Sequence, residues 1–385
     1  MSVRLHRTRL SPACELTIAF VTMVCSALVT ATPRRGGAQA ASAPAATWTI
    51  APAPSVRIGA SEAPDELLTA PSGATRLPNG NVVVGDLGDW ALREFTPQGR
   101  LVKRYGRKGK GPGEISYLSP LMRCGDTLVA NDIAGPHLSV FGVSGQFVRV
   151  SRMKSPIYRI SCNSRMQFVV MGWESKPVMH KGIHRPLYPY FLARADSTGV
   201  TPSGVTPLGE LPGSERFGPR PYPLGREPRV AIGPTRAYIA LADSFEIRVF
   251  DLNGEALPSL VARVPRVAAT PADLDAERER EIAQVGEQGR RYVTESYATI
   301  PLPKYLPATR DLIVDRDGNL WVQHFPRASS PTVRWTVFSP EGAVRATVDL
   351  PSAFELHEAG RDYVLGRYID PDESVPEVRL YRLSR

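Results

Sequence analysis

Short apolar runs divided by glycine- and proline-rich turns recur along most of the chain, and residues 311–351 carry the pattern most completely. Leu312-Ile313-Val314, Leu320-Trp321-Val322, Trp335-Thr336-Val337-Phe338 and residues 344–350 are four β-type runs in succession. Asp317-Gly318-Asn319 joins the first run to the second, because Asp-Gly accepts the positive φ angles of a tight hairpin. Ser339-Pro340-Glu341-Gly342 joins the third to the fourth, with proline setting φ early and glycine free to close the turn. The pattern predicts four antiparallel strands.

The unit repeats. Turns like the first recur at Pro78-Asn79-Gly80, Cys124-Gly125-Asp126, Cys162-Asn163-Ser164, Gly233-Pro234-Thr235 and Gly360-Arg361-Asp362, each ahead of an apolar run. With Asp317-Gly318-Asn319 they make six. The second turn recurs as Phe95 to Gly99, Phe141 to Gly145, Phe250 to Gly254 and Phe338 to Gly342, and as Ala195 to Gly199 without the phenylalanine. The phenylalanine is expected to pack between units and the glycine to serve backbone geometry. Six first turns against five second turns leave the last unit short of its outer strand. Residues 48–58, which carry Trp48, can supply it and so remove an open sheet edge. The fold class expected is all-β: a six-bladed β-propeller of four-stranded antiparallel blades, its last blade closed by an N-terminal strand.

Spacing locates the insertions. Gly99, Gly145, Gly199 and Gly254 follow one another at 46, 54 and 55 residues, but Gly254 to Gly342 is 88. The excess falls at about residues 270–307, ahead of the fifth blade. Thr270, Pro271 and Asp273 form a helix start, and the charged run 275–281 suits a solvated helix. Gly286 and Gly289 weaken it enough to allow two shorter helices. Residues 171–190 and the proline-rich 201–228 are expected as loops.

Composition changes this picture little, except at the N-terminus. Hydrophobic content of 42% and charged content of 22% are ordinary for a packed chain, while 36 prolines and 32 glycines suit many turns. Arg4, Arg7 and Arg9 precede an apolar run at 16–29, and Ala38-Gln39-Ala40 has the small-x-small form of a signal cleavage site. A signal peptide is expected over residues 1–40 and a linker over 41–47; the alternative is an uncleaved anchor, the one route to a membrane. The destination is then exported: periplasmic, cell-surface or secreted. Five arginines and one glutamate leave with residues 1–40, so the formal charge falls from +9 to +5. An exported, mildly basic chain does not call for nucleic acid as a partner. Cys124 and Cys162 are the two cysteines of the mature chain. Export permits a disulfide between them, and two separate buried thiols are the alternative.

The Gly106 to Glu114 stretch, with the Asp-Gly-Asn-Leu-Trp-Val turn at Asp317 to Val322, resembles exported bacterial six-bladed propellers of the NHL and TolB-like group. The resemblance covers most of residues 48–385. It implies the fold and leaves activity open, since lactonases, lyases and protein-binding scaffolds share that architecture.

Candidate chemistry is sparse. Gly106 to Glu114 could hold an anion on backbone N–H groups, but flanking β-structure favours a turn between blades. Asp86, Asp132 and Asp243 recur after second strands, with His324 in the comparable place. Such a ring could hold Ca2+ near the central channel; the structural alternative is that each aspartate caps a turn. Because a scaffold repeats and a site does not, His324 and Trp173 stand out. His180 and His184 have zinc-like spacing inside a proline- and glycine-broken loop. No nucleophile elbow or nucleotide fingerprint is present. No cofactor is called for beyond that Ca2+. The expected function is an exported module binding an unidentified ligand or protein, with Trp90, Trp173, His184, Tyr188, Tyr297, His324 and Arg327 as the candidate face. The alternative is a metal-dependent lactonase, hydrolase or lyase working at the central channel.

Overall fold

The computed structural model describes residues 39–40, 46–61, 63–132, 137–152, 157–173, 180–196, 199–200, 205–370 and 375–385. The expected signal segment falls outside these residues apart from Gln39–Ala40, which pairs in parallel with Leu260 and Val261.

Alternation in the repeat becomes a series of antiparallel sheets. The first is Pro71–Arg76, Val82–Asp86, Ala91–Phe95 and Leu101–Tyr105. The second is Leu118–Cys124, Thr127–Asp132, His137–Gly142 and Phe147–Arg152. The third joins Ile157–Cys162, Gln167–Gly172, Leu187–Asp196 and Thr206–Pro212. The fourth is Arg229–Ile232, Arg236–Ala240, Glu246–Asp251 and Ala256–Val261. The fifth is Thr309–Val314, Leu320–His324, Thr332–Phe338 and Val344–Pro351. The last contains Phe354–Ala359, Tyr363–Ile369 and Pro376–Ser384. Each first strand touches the first strand of the next sheet, and Phe354–Ala359 returns to Pro71–Arg76. This is the arrangement of a β-propeller.

Packing explains why the second strands read as unbroken apolar runs. Val82, Val83 and Val84 are all fully buried, so both faces of their sheet are covered. Separate apolar clusters fill the gaps between neighbouring sheets. Phe95 packs with Ile58, Leu365 and Val378, Phe141 with Leu77 and Leu92, and Phe338 with Tyr238 and Ile247. The second-turn glycines face the outer strand of the preceding sheet. A Cβ at Gly99 would sit 2.6 Å from the Arg57 carbonyl oxygen, and one at Gly342 would sit 2.7 Å from Leu260. At Gly99 the obstacle is backbone, whereas at Gly342 it is the movable end of a leucine and the positive φ is the stronger reason for glycine.

Closure uses two strands where one was expected. Val56–Ile58 pairs antiparallel with Pro376–Ser384, so the outer strand of the last sheet comes from the N-terminal region. Ala46–Ile50 is separate. It begins two residues before Trp48, runs parallel to Ala346, Thr347 and Val348, and then crosses to Leu383 and Ser384. Trp48 therefore fills the gap between the last two sheets, where its ring lies 5.7 Å from Trp321. The proline-bearing bend after Ile50 keeps the chain on the last sheet, with Ala51 N–H donating to Arg382 O at 2.9 Å and Ser55 N–H to Leu380 O at 2.8 Å.

Helical backbone runs over Pro271–Tyr297, with Thr270 as cap and Pro271 at its start. The Tyr297 hydroxyl nevertheless donates to the Glu281 carboxylate at 2.9 Å. Sixteen residues of straight helix would span about 24 Å. The run therefore doubles back between Ile282 and Arg290, where Gly286 and Gly289 lie, and its two arms pack Ile282 against Val293 and Tyr297.

Cys124 and Cys162 end equivalent first strands and form a disulfide with Cα atoms 5.7 Å apart. Contact between these neighbouring strands brings the two cysteines within bonding distance. Replacing both by Ala is expected to lower unfolding free energy by about 2–5 kcal/mol, read by urea denaturation. On the same readout, Gly99→Ala should cost about 2–3 kcal/mol and Gly80→Ala about 1 kcal/mol. Both glycines have positive φ, but only Gly99 meets backbone of the closing strand. Equal losses would remove that contact from the account.

Candidate functional site

A cleft of about 890 Å³ opens where the fourth and fifth sheets meet beneath the inserted segments. Two insertions build its walls. Residues 262–269 leave the fourth sheet and pair with the returning residues 303–308, through Leu306 N–H to Val267 O at 2.9 Å and the Ala268–Tyr305 bridge. Ile183–His184, Arg216–Phe217 and Arg220–Pro221 form a small three-stranded sheet within the stretches expected as loops. Leu224, Leu306 and Phe325 pack together with Leu274 of the helical hairpin, joining both insertions to the fifth sheet. Asp273 anchors the hairpin's start by accepting from Ala328 N–H at 3.2 Å, beside Arg327. Ala242, with φ of 63°, bends the wall so that its carbonyl accepts from Ala308 N–H at 3.0 Å.

His324 stands in the lining. Its Nε2 lies 2.9 Å from Thr336 Oγ1, and the Phe245 ring centroid is 4.6 Å from its own. Burial, reinforced by the nearby Arg334 guanidinium, lowers its pKa to about 4, so the imidazole is neutral at ordinary pH. Thr336 is 4% exposed, which makes it a clamp on the ring rather than a presented nucleophile. A neutral, fixed imidazole can give or take one hydrogen bond.

Charge around the cleft is unevenly balanced. Arg334 makes a two-pronged pair with Asp349, both contacts at 2.9 Å. Arg226 joins Glu215 and Asp243, each at 2.6 Å, and Arg185 reaches Asp243 at 2.7 Å. Asp243 is thus an ion-pair hub. It is also not equivalent to the other aspartates, because Ala240 occupies the register position opposite Arg229 and Asp243 lies three residues beyond.

The remaining sequence-derived candidates scatter. Asp86 accepts from Thr69 and Ala70 N–H at 3.0 and 2.8 Å, and Asp132 from Ser116 and Tyr117 N–H at 2.6 and 3.0 Å. Both are fully enclosed and tie down the segment entering their sheet. Among the described residues, no group of three or more His, Cys, Asp or Glu side chains is gathered around one point. Trp90 is on the first sheet, edge-on to Tyr117 with Lys108 over its ring. Trp173 is exposed and meets Tyr158 edge-on, ring centroids 4.8 Å apart. His184 sits beside His180, ring centroids 4.5 Å apart, in the small sheet rather than on a helix. Tyr188 is fully buried, and Tyr297 is consumed inside the helical hairpin, so neither presents a surface to a ligand. Of the expected face, His324 and Arg327 share the cleft. In the Gly106 to Glu114 loop, the anion on the backbone is the protein's own: Glu114 accepts from Gly111 N–H at 2.8 Å and pairs with Arg107 at 2.9 Å.

Sequence reading missed an ion-pair chain along the first strands, which border the central axis. Arg159 and Arg229 grip Glu227 at 2.6 and 2.8 Å, and Arg229 continues to Asp311 at 3.4 Å. Burial would raise the Glu227 pKa, but the two guanidiniums outweigh it and hold the carboxyl well below its usual range. At Asp311 burial wins and the shift is upward. Asp311 stays 34% exposed and Glu355, gripped by Arg367, 52% exposed, despite their depth in the molecule. Water therefore reaches the axis. Polar residues in apolar first strands were the available signal.

No protein-family model and no curated protein matches this sequence. In fold the chain is similar to a member of the DUF4221 family from Bacteroides vulgatus, at 10% identity and a TM-score of 0.50, over 88% of this chain and 99% of that one. It is also similar to a gluconolactonase from Xanthomonas campestris, at 13% identity and a TM-score of 0.44, over 89% and 100% of the two chains. Likeness at such identities concerns the fold alone.

His324 also sets a pH dependence. Its folded pKa of about 4 lies below the unfolded value near 6.5, so the unfolded state binds the extra proton between them. Stability is expected to fall as pH drops from about 6.5 to 4, by on the order of 2 kcal/mol relative to His324→Gln. Denaturation midpoints measured across that window check it, and parallel curves for the two proteins would count against it.

Proposed function

We propose that the chain is an exported six-bladed β-propeller, of the kind the NHL and TolB-like resemblance implies, and that it acts as a ligand-binding module. The ligand site is the cleft between the fourth and fifth blades, not the central channel. One observation carries this reading: two independent insertions converge on one blade junction and wall a cleft of about 890 Å³. That volume is within the range of small-molecule sites, which span roughly 300–1,000 Å³. Val264, Val267 and the Tyr305 ring, half-buried or exposed in the lining, supply contact area, while His324 supplies a fixed polar group. The insertions make no contribution to ring closure, so their cost in ordered chain is explained by what they enclose. Partners are accordingly small molecules reaching an exported protein. The first forty residues act as its export signal.

Ligand-observed NMR on the mature protein, with a mixed set of organic acids, sugars and neutral aromatic compounds, tests the reading. Binders are expected, and Val264→Trp, which fills the cleft from its wall, should abolish their signals while leaving the thermal midpoint within a few degrees. Binding that survives Val264→Trp would move the site elsewhere. Stoichiometric Ca2+ or Zn2+ that is lost on His324→Ala or Asp243→Asn, together with lactone hydrolysis, would replace the binding module with the metal-dependent enzyme.

A further inference from the structure

The cleft lining contains six cations and four carboxylates. Arg226 and Arg334 are satisfied by Glu215, Asp243 and Asp349. Arg263, Arg266, Lys304 and Arg327 have no carboxylate within ion-pair distance among the described residues, and Glu246 is the lone unpaired anion facing them. Three of the four rise from the paired segments that carry the helical hairpin, and the fourth lies beside the hairpin's anchor at Asp273. Arg266 and Lys304 flank the Tyr305 ring, at 5.6 and 5.3 Å from its centroid. All four are exposed and line a concave, partly apolar surface.

From this geometry we infer that the cleft takes an organic oxyanion, a molecule bearing a carboxylate, sulfate or phosphate group on an apolar or ring-containing body. The inference rests on the cleft being the ligand site. Guanidinium forks match all three oxyanions in two-pronged geometry, which a neutral hydroxyl cannot use as well. His324 adds discrimination of another kind. Because the ring is neutral, it contributes a directed hydrogen bond without adding a competing charge. Val264, Val267 and the Tyr305 ring then cover the body of the ligand.

Titration calorimetry with benzoate, phenyl sulfate, phenyl phosphate and the neutral control benzyl alcohol tests the inference on the mature protein. The charged probes are expected to bind at least about tenfold more tightly than benzyl alcohol, and to weaken as salt rises from roughly 0.05 to 0.5 M. Arg266→Ala, Lys304→Ala and Arg327→Ala should each weaken the charged probes about five- to tenfold and leave benzyl alcohol unchanged. Arg327→Lys should recover part of the loss. The rank order of the three anions distinguishes a carboxylate site from a sulfate or phosphate site. If benzyl alcohol binds as well as the anions and Val264→Trp abolishes both, the cleft stands and the oxyanion class falls. If no probe binds, or Val264→Trp changes nothing, the cleft reading and the class fall together.

Discussion

Apolar packing between neighbouring sheets is the interaction on which everything else in this molecule depends. A four-stranded antiparallel sheet with two apolar faces cannot stand alone in water, because each face exposes surface worth roughly 25 cal/mol per Å² when buried. Each sheet here covers its neighbour, and the chain of coverage ends only where it meets itself. Ile58, from the N-terminal strand, sits with Phe95 of the first sheet and Val378 of the last in one cluster. The same strand presents the Arg57 backbone to Gly99, so backbone and side chains close the ring together. Trp48 adds a second tie one junction earlier.

Closure frees the loops. Once the ring holds itself, a junction can carry insertions without being needed for stability, and the fourth-to-fifth junction carries the largest. The helical hairpin, the small three-stranded sheet and the paired segments at 262–269 and 303–308 meet over that one edge. Polar groups there are treated in two ways. Arg226 and Arg334 are locked to carboxylates, whereas Arg263, Arg266, Lys304 and Arg327 are left to solvent or ligand. Along the axis the pattern differs again: Glu227 is gripped by two arginines and belongs to the scaffold.

Much of the fold was legible in local sequence, and most of the site was not. The Phe-to-Gly second turn marks a residue that must reach the neighbouring sheet and one that must carry no side chain, so its meaning is local and its spacing counts the sheets. Asp86 and Asp132 recur after second strands, and each accepts backbone N–H groups of the segment entering its sheet. Asp243 looked like a third copy by distance from an apolar run, but strand register gives that place to Ala240. Tyr188 and Tyr297 looked like recognition residues by type, yet type says nothing about which side of a sheet or helix arm is covered.

What the sequence alone determined was the recurring turns with the apolar runs that flank them, the missing outer strand and the location of the largest insertion, because hydrophobic period and turn chemistry act over a few residues. Thr206–Pro212, in a stretch expected as a loop, is instead the outer strand of the third sheet. What only tertiary structure decided was convergence. Arg266, Lys304 and the His324 to Arg327 stretch come from three separate segments, and nothing in their spacing announces that they line one cleft. The ion-pair chain from Arg159 to Asp311 spans three sheets and is equally silent in the sequence. Such groupings depend on how sheets are rotated around an axis and on which loops fold back over them, and those are properties of the closed ring rather than of any one repeat.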